Sequence, residues 1–251
     1  MIKRPAAGDR DRVTVATHSS RNSHFLMRDY RIKPVPGRVA VLASGGLDSS
    51  VMLARIAQKR CEVFPVYIRT GLVWEKDELA MLRRFIKAVA IKSIQPLTVL
   101  NVPMDDVAAG HWSMTGKKVP GYRAALSSNY IPGRNLTLLS KAAVFCARNR
   151  IGDLAMALLE ANPFPDARPA FFEAMSKAVD IGVGLRLKIS TPWVGKSKPE
   201  VIALGRDLPL QLSVSCIKAR GAVHCRQCTK CAERIEGFRL AGVKDPTRYR
   251  S

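Results

Sequence analysis

The chain has 251 residues, 47% hydrophobic and 24% charged, enough to bury one good core, which excludes fibrous and wholly disordered classes. No run approaches the roughly 18 apolar residues that span a bilayer, and no secretory apolar segment occurs, so a soluble cytoplasmic protein with no membrane partner is expected. The net charge of +21 predicts attraction to polyanions, but it is spread along the chain. Residues 1–38 and 216–251 each hold nine Lys/Arg against three acids, without a single basic stripe interleaved with aromatics. Binding of tRNA is compatible with that charge and not required by it. A homodimer is compatible as well.

Residues 1–37 form a basic extension rich in Arg, Ser, Thr and Asp, with no sustained helical or alternating pattern over about the first 26, and are expected to be disordered. Met27, just ahead of the first strand, is a second candidate start. From Arg38 onward strands alternate with helices, and residues 38–251 are read as a single domain. A strand is expected at Val39–Ala43, a helix at Leu47–Lys59, a strand at Glu62–Ile68 and an amphipathic helix at Glu75–Ile91. A strand at Leu97–Val102 precedes a Gly- and Pro-rich stretch. Then come a helix at Asn135–Asn149, a strand at Asp153–Leu159, a helix at Pro169–Gly182 and a last strand at Leu185–Ser190. Ser197-Lys-Pro-Glu200 is a capping box opening a helix that runs to about Gly205. This alternation implies an α/β fold with a doubly wound, Rossmann-like parallel sheet, whose ligands sit at the carboxyl ends of the strands.

The first strand runs into Ser44-Gly45-Gly46-Leu47-Asp48-Ser49-Ser50 and then a helix start. Adjacent glycines let backbone amides approach an anion, and the positive end of the helix stabilises its charge. Ser44, Ser49 and Ser50 add hydroxyls. No Gly-Lys-Ser/Thr follows, so a loop gripping β and γ phosphates for γ-phosphoryl transfer is not indicated. The plainer alternative is a Gly-rich turn with a capping serine. Ser-Gly-Gly-x-Asp-Ser resembles the pyrophosphate loop of the N-type ATP pyrophosphatases, the adenine nucleotide alpha hydrolase type of Rossmann-like fold. These enzymes activate a carboxyl, amide or carbonyl oxygen by adenylation. On that resemblance Ser44 to Ser50 would bind ATP, and Asp48 would help place Mg²⁺ or cap the helix.

Near the other end Cys216 is followed by Cys225, Cys228 and Cys231. Two-residue steps turn successive thiolates inward on a knuckle, and four such ligands suit a structural, tetrahedral Zn²⁺ with no open position. A disulfide cluster is the alternative, set against the absence of a signal segment and the crowding of four of the six cysteines into sixteen residues. Cys61 and Cys146 read as ordinary small buried residues.

Between these anchors Tyr130-Ile-Pro-Gly-Arg134-Asn135 resembles the Phe/Tyr-Val-Pro-Gly-Arg-Asn segment of the 7-cyano-7-deazaguanine synthases, the queuosine-pathway ligases. Phe164-Pro-Asp166-Ala-Arg168-Pro-Ala-Phe171 is similar to their Tyr-Pro-Asp-Cys-Arg-x-x-Phe. Thr191-Pro192 with Lys198 and Glu200 matches their Thr-Pro stretch and its Lys-x-Glu, and Ser215-Cys216 to Asp245-Pro246 is similar to their zinc end. The resemblance spans about residues 38–249 in matching order. It implies conversion of 7-carboxy-7-deazaguanine with ammonia to the nitrile, through two adenylations that consume ATP. Arg134 and Lys198 would offset the phosphate charge beside Asp48 as the catalytic set, and Asp166 and Arg168 would hold the substrate. A structural ion pair or a solvated helix end is the alternative for these four. Two departures stand out. Thr70-Gly-Leu-Val-Trp74-Glu75 replaces the family's Tyr-Gly-Gln-Arg/Lys-His and then Glu, and Asn162-Pro163 replaces its Ser-Gly. Trp74 is expected to pack in the core, with stacking on a base as the alternative. A tRNA-modifying, thiolase-like pyrophosphatase and a non-catalytic nucleotide- and RNA-binding module are the competing readings. The former needs a persulfide-bearing cysteine near the nucleotide.

Overall fold

A computed structural model describes residues 31–60, 62–160 and 162–251. Most of the expected extension, the alternative start at Met27 and Cys61 lie outside the described residues. Residues 32–37 run along the body: the Ile32 amide donates to Gly184 O at 2.9 Å, and the Val35 amide to Arg150 O at 2.7 Å.

The described elements are β1 (Arg38–Leu42), α1 (Leu47–Ala57), β2 (Glu62–Arg69), α2 (Glu75–Val89), β3 (Thr98–Asn101), α3 (Trp112–Thr115), α4 (Arg134–Arg148), β4 (Asp153–Ala155), α5 (Pro169–Val183), β5 (Lys188–Ser190), α6 (Lys198–Leu204), β6 (Val223–His224), α7 (Thr229–Ala241) and β7 (Arg248–Tyr249). Strands β1 to β5 form one parallel sheet in the order β3-β2-β1-β4-β5. The doubly wound architecture is therefore present. β1 lies at its centre, where the strand order reverses, and period-two alternation explains why it is apolar on both sides. Val39, Val41 and Ala43 join the core that α1, α2, α6 and α7 cover, with Val51, Leu82, Val201 and Phe238. Ala40 and Leu42 face the opposite layer, under α4 and α5, with Leu139, Cys146 and Phe172.

Three features differ from the sequence reading. The strand expected over 153–159 leaves the ladder after Ala155, because β5 pairs with it over only three residues and Met156–Leu159 turn out to line the cavity described below. Leu185–Ser190 shortens to Lys188–Ser190 and is not the last strand, since β6 and β7 pair in parallel over two residues each. Helix α7 carries no strong amphipathic signal, and the chain pattern did not announce it. Its start is set by the cysteine cluster, with Cys228 as the N-cap residue.

Candidate active site

The Gly-rich loop follows β1 at the carboxyl edge of the sheet, the position where open α/β sheets bind ligands. Gly45 has φ +77°, and a Cβ there would lie 2.6 Å from the Glu78 carbonyl oxygen, so only glycine lets the loop pass this close to α2. The serines brace the loop from within. Ser49 Oγ accepts from the Ser44 amide at 3.2 Å and donates to Gly46 O at 3.1 Å, while Ser44 Oγ accepts from the Gly46 amide at 3.2 Å. The first-turn amides of α1 have no intrahelical partner and form the positive end of the helix. Ser44, Gly46, Leu47, Asp48 and Ser49 line a cavity of about 450 Å³. Gly45 and Ser50 lie behind that wall, and the buried Ser50 hydroxyl has no partner.

Four cations, Arg134, Lys198, Lys230 and Arg234, and four carboxylates, Asp48, Glu78, Glu160 and Glu233, also line the cavity. Lys198 Nζ donates to Asp48 Oδ1 at 2.8 Å and Oδ2 at 2.6 Å, and sits 3.1 Å from Glu233 Oε1. Lys230 Nζ completes the chain at 2.7 Å from Glu233 Oε2. Burial alone would pull the Lys198 ammonium down, but Asp48 and Glu233 hold it above its ordinary value. Glu233 feels the same balance in reverse: burial raises its carboxyl, yet Lys198 and Lys230 hold it well below the usual range. Gly237 makes this meeting possible, since a Cβ there would lie 2.6 Å from Lys198 Cγ. Arg234 is fully buried and donates to Thr247 Oγ1, Ser213 Oγ, Ser215 Oγ and Leu210 O, tying α7 to the wall.

Arg134 begins α4 and lines the cavity, where its buried Nε has no partner. The residues expected to hold substrate beside it are placed differently. Asp166 is buried and does not line the cavity: its carboxylate accepts from the Asn135 amide at 3.1 Å and from Asn135 Nδ2 at 3.3 Å. It thus anchors the first turn of α4, as an N-cap would. Arg168 is exposed, is the N-cap residue of α5 and also lies outside the cavity wall.

The residues that replace the polar turn after β2 pack and line at once. Glu75 accepts from the Thr70 and Gly71 amides, Leu72 is buried, and Val73 is 49% exposed. Trp74 is buried as expected, stacked on Trp112 with ring centroids 5.6 Å apart, and both indoles line the cavity. Its Nε1 donates to Glu78 Oε1 at 3.1 Å, and Tyr67 Oη donates to Glu78 Oε2 at 3.0 Å. Burial pushes the Glu78 carboxyl up to about 7, against the pull of Arg134 and Tyr67. Sequence reasoning missed Glu78. Its signal was weak: it is one of three acids in the first turn of α2, set apart by lying beside Leu79 and Leu82 on the core-facing side. Glu233, Lys230 and Arg234 were missed too, because nothing in the sequence places α7 against α6.

The four cysteine sulfurs lie within 4.8 Å of one another and all are buried. Cys228 Sγ is 3.5 Å from Cys231 Sγ and 4.0 Å from Cys216 Sγ, and Cys225 Sγ is 3.9 Å from Cys231 Sγ. A tetrahedral ion with metal–sulfur bonds of about 2.3 Å needs edges of roughly 3.8 Å. Separations this wide exclude disulfides, whose S–S bond is about 2 Å. Amides of Lys218, Cys225 and Gln227 donate to the sulfurs at 3.3, 3.2 and 3.4 Å, which favours thiolates. The cluster packs against Leu72, Trp74, Ile131 and Ile217, so it supports the aromatic wall of the cavity. Cys146 is buried in the core under α4, its thiol pushed up to about 12 by desolvation, and does not line the cavity.

The sequence profile of the family described as queuosine biosynthesis protein QueC matches residues 38–242. The chain belongs to this family. A 7-cyano-7-deazaguanine synthase of Acetivibrio thermocellus is 31% identical over 228 residues, covering 84% of this chain and 97% of that one. The enzyme of the same name from Chlorobium phaeobacteroides is 30% identical over 224 residues, covering 84% and 96%. Among solved structures, the U34-tRNA thiolase NcsA from Methanococcus maripaludis is similar with a TM-score of 0.46 and 13% identity, covering 84% of this chain and 69% of that one. No described helix is long and apolar enough to cross a membrane.

Proposed function

We propose that this chain is an ATP-dependent ligase that converts 7-carboxy-7-deazaguanine and ammonia to 7-cyano-7-deazaguanine. The observation that carries the reading is a family match across 38–242 in a chain whose Gly-rich loop opens, at the switch point of the sheet, into a cavity lined by cations and indoles. A carboxylate resists ammonia because its carbon is electron-rich and its leaving group is oxide. Adenylation by ATP supplies AMP as leaving group, and ammonia then gives the amide. A second adenylation, on the amide oxygen, lets AMP depart and leaves the nitrile.

The residues fit a nucleotide. The first-turn amides of α1 and the loop around Gly46 form an anion cradle, and the unpartnered Arg134 Nε is a buried donor in the cavity wall. Lys198 and Arg134 offset charge that develops at the α-phosphoryl group. Mg²⁺ bound with the nucleotide would neutralise phosphate charge, and Asp48 on the cavity wall would help hold it. Trp74, Trp112 and Ile131 offer flat apolar surface to a planar heterocycle. Zn²⁺ fits the four thiolates, closed against water, and serves structure alone.

The test is to incubate the protein with Mg-ATP, ammonia and 7-carboxy-7-deazaguanine and to identify products by mass. The expected products are the nitrile, AMP and pyrophosphate, with the amide as an intermediate. ADP and phosphate as primary products would refute adenylation, and inertness toward both acid and amide would refute the substrate.

A further inference from the structure

Of the four carboxylates on the cavity wall, Asp48 and Glu233 are paired with lysines and Glu160 is exposed. Glu78 alone is buried without a lysine partner. Its two oxygens each accept one neutral hydrogen bond, from Tyr67 and Trp74, which fix the carboxylate and leave a lone pair on each oxygen. Its own backbone carbonyl lies against Gly45, and Glu78 shares the cavity wall with the loop where the adenylate would form. Resting on the ligase reading above, we propose that Glu78 is a catalytic residue that binds ammonium and accepts its proton.

The chemistry needs such a group. In neutral solution ammonia is mostly ammonium, whose nitrogen has no free pair for attack. Asp48 and Glu233 are already paired with Lys198 and Lys230, so Glu78 is the buried carboxylate on the wall left to attract the cation. Ammonium transfers one proton to the Glu78 carboxylate, giving ammonia and the neutral acid. The nitrogen pair then forms the C–N bond to the acyl carbon, the C–O bond to AMP breaks with its pair on the phosphate oxygen, and the second proton passes from the nitrogen to that departing phosphate as the neutral amide forms. In the nitrile stage the nitrogen must again give up protons as AMP departs, and the same carboxylate can accept one once Glu78 has released its first proton to solvent. The charged and titratable groups around Glu78 are Arg134 from α4, Tyr67 from β2 and Glu75 from its own helix. With Arg134 and Tyr67 favouring the anion and burial opposing it, the carboxyl is balanced near neutrality, where a proton acceptor works best.

The test compares Glu78→Gln with the wild type in three assays. Substrate-dependent exchange of pyrophosphate into ATP, without ammonia, reads adenylation and should stay within about threefold. Amide formation from ammonium should fall about 100-fold or more. Hydroxamate formation from hydroxylamine, a nucleophile largely unprotonated at neutral pH, should stay close to wild type. Normal use of ammonium by the variant, or equal loss of hydroxamate and amide, would overturn the assignment. Absence of exchange in the wild type would overturn the ligase reading itself and this inference with it. Should Glu78→Gln fail to fold, Tyr67→Phe decides: it removes a bond that favours the anion, so the acidic limb of kcat/KM for ammonium should move to higher pH. An unmoved limb would overturn the assignment.

Discussion

Lys198 Nζ lies 2.8 and 2.6 Å from the two carboxylate oxygens of Asp48, 150 residues earlier in the chain. The pair exists because α1 and α6 begin at the same edge of the sheet and pack closely. A Cβ at Gly205, the C-cap of α6, would come within 2.5 Å of Val51 on α1. Asp48 is thereby paired through both oxygens, each keeping a lone pair, and Lys198 is held at the loop while also in contact with Glu233. Lys198→Met should lower pyrophosphate release by about 100-fold or more, the loss typical of one charge-stabilising group. A pyrophosphate-release assay at saturating substrate checks this, and near-normal turnover would assign Lys198 to structure alone.

Stability should depend on pH through Glu78. Its carboxyl titrates at about 7 in the folded chain, against about 4.3 when unfolded. Between these values the folded state holds more protons, so stability falls as pH rises through this window and levels off above it. Glu78→Gln removes that dependence. Its stability relative to wild type should therefore increase by on the order of 2–4 kcal/mol between about pH 4.5 and 7.5. Denaturant unfolding of both proteins at the two pH values measures it, and a constant gap would contradict the buried, unpaired carboxylate.

The protein should hold about one zinc ion per chain, since four thiolates close one tetrahedral shell. Cys228→Ser should lose the metal and soluble protein together, because Cys228 is also the N-cap residue of the helix that brings Lys230, Glu233 and Arg234 to the cavity. Elemental analysis alongside yield and activity tests this. Full activity in a metal-free preparation would rule it out.

Asp166 and Arg168 should behave oppositely although they are two residues apart. Asp166→Ala removes the acceptor of the Asn135 amide and should cost about 1–2 kcal/mol, with reduced activity because Arg134 shifts. Arg168→Ala, on an exposed side chain, should change stability by no more than about 0.5 kcal/mol. Thermal melts and KM for the acid substrate separate the two. A raised KM with Arg168→Ala would restore it to the substrate site.

Trp74→Ala should cost about 3–5 kcal/mol, as for other large buried aromatics, because the indole is 8% exposed and stacked on Trp112. Calorimetric unfolding checks it. A small loss of stability with weakened substrate binding would instead mark the ring as a free stacking surface.

By itself the sequence determined what depends on neighbouring residues. Alternating apolar runs specified the strand–helix order, Ser197 and Glu200 specified a helix start that both side chains make, and Gly45-Gly46 after an apolar strand specified an anion loop. The cysteine spacing specified a metal-sized cluster, because two-residue steps constrain thiols wherever the knuckle sits. Only the tertiary structure decided which side chains share the cavity. Asp166 turned inward to α4 and Arg168 outward to solvent, a choice made by how α4 and α5 pack. Glu78 reached the cavity because Gly45 lets the loop lie against α2, and Glu233 reached Lys198 because Gly237 lets α7 lie against α6. Such contacts join residues far apart in the chain, and their free energy comes from packing that local pattern does not encode.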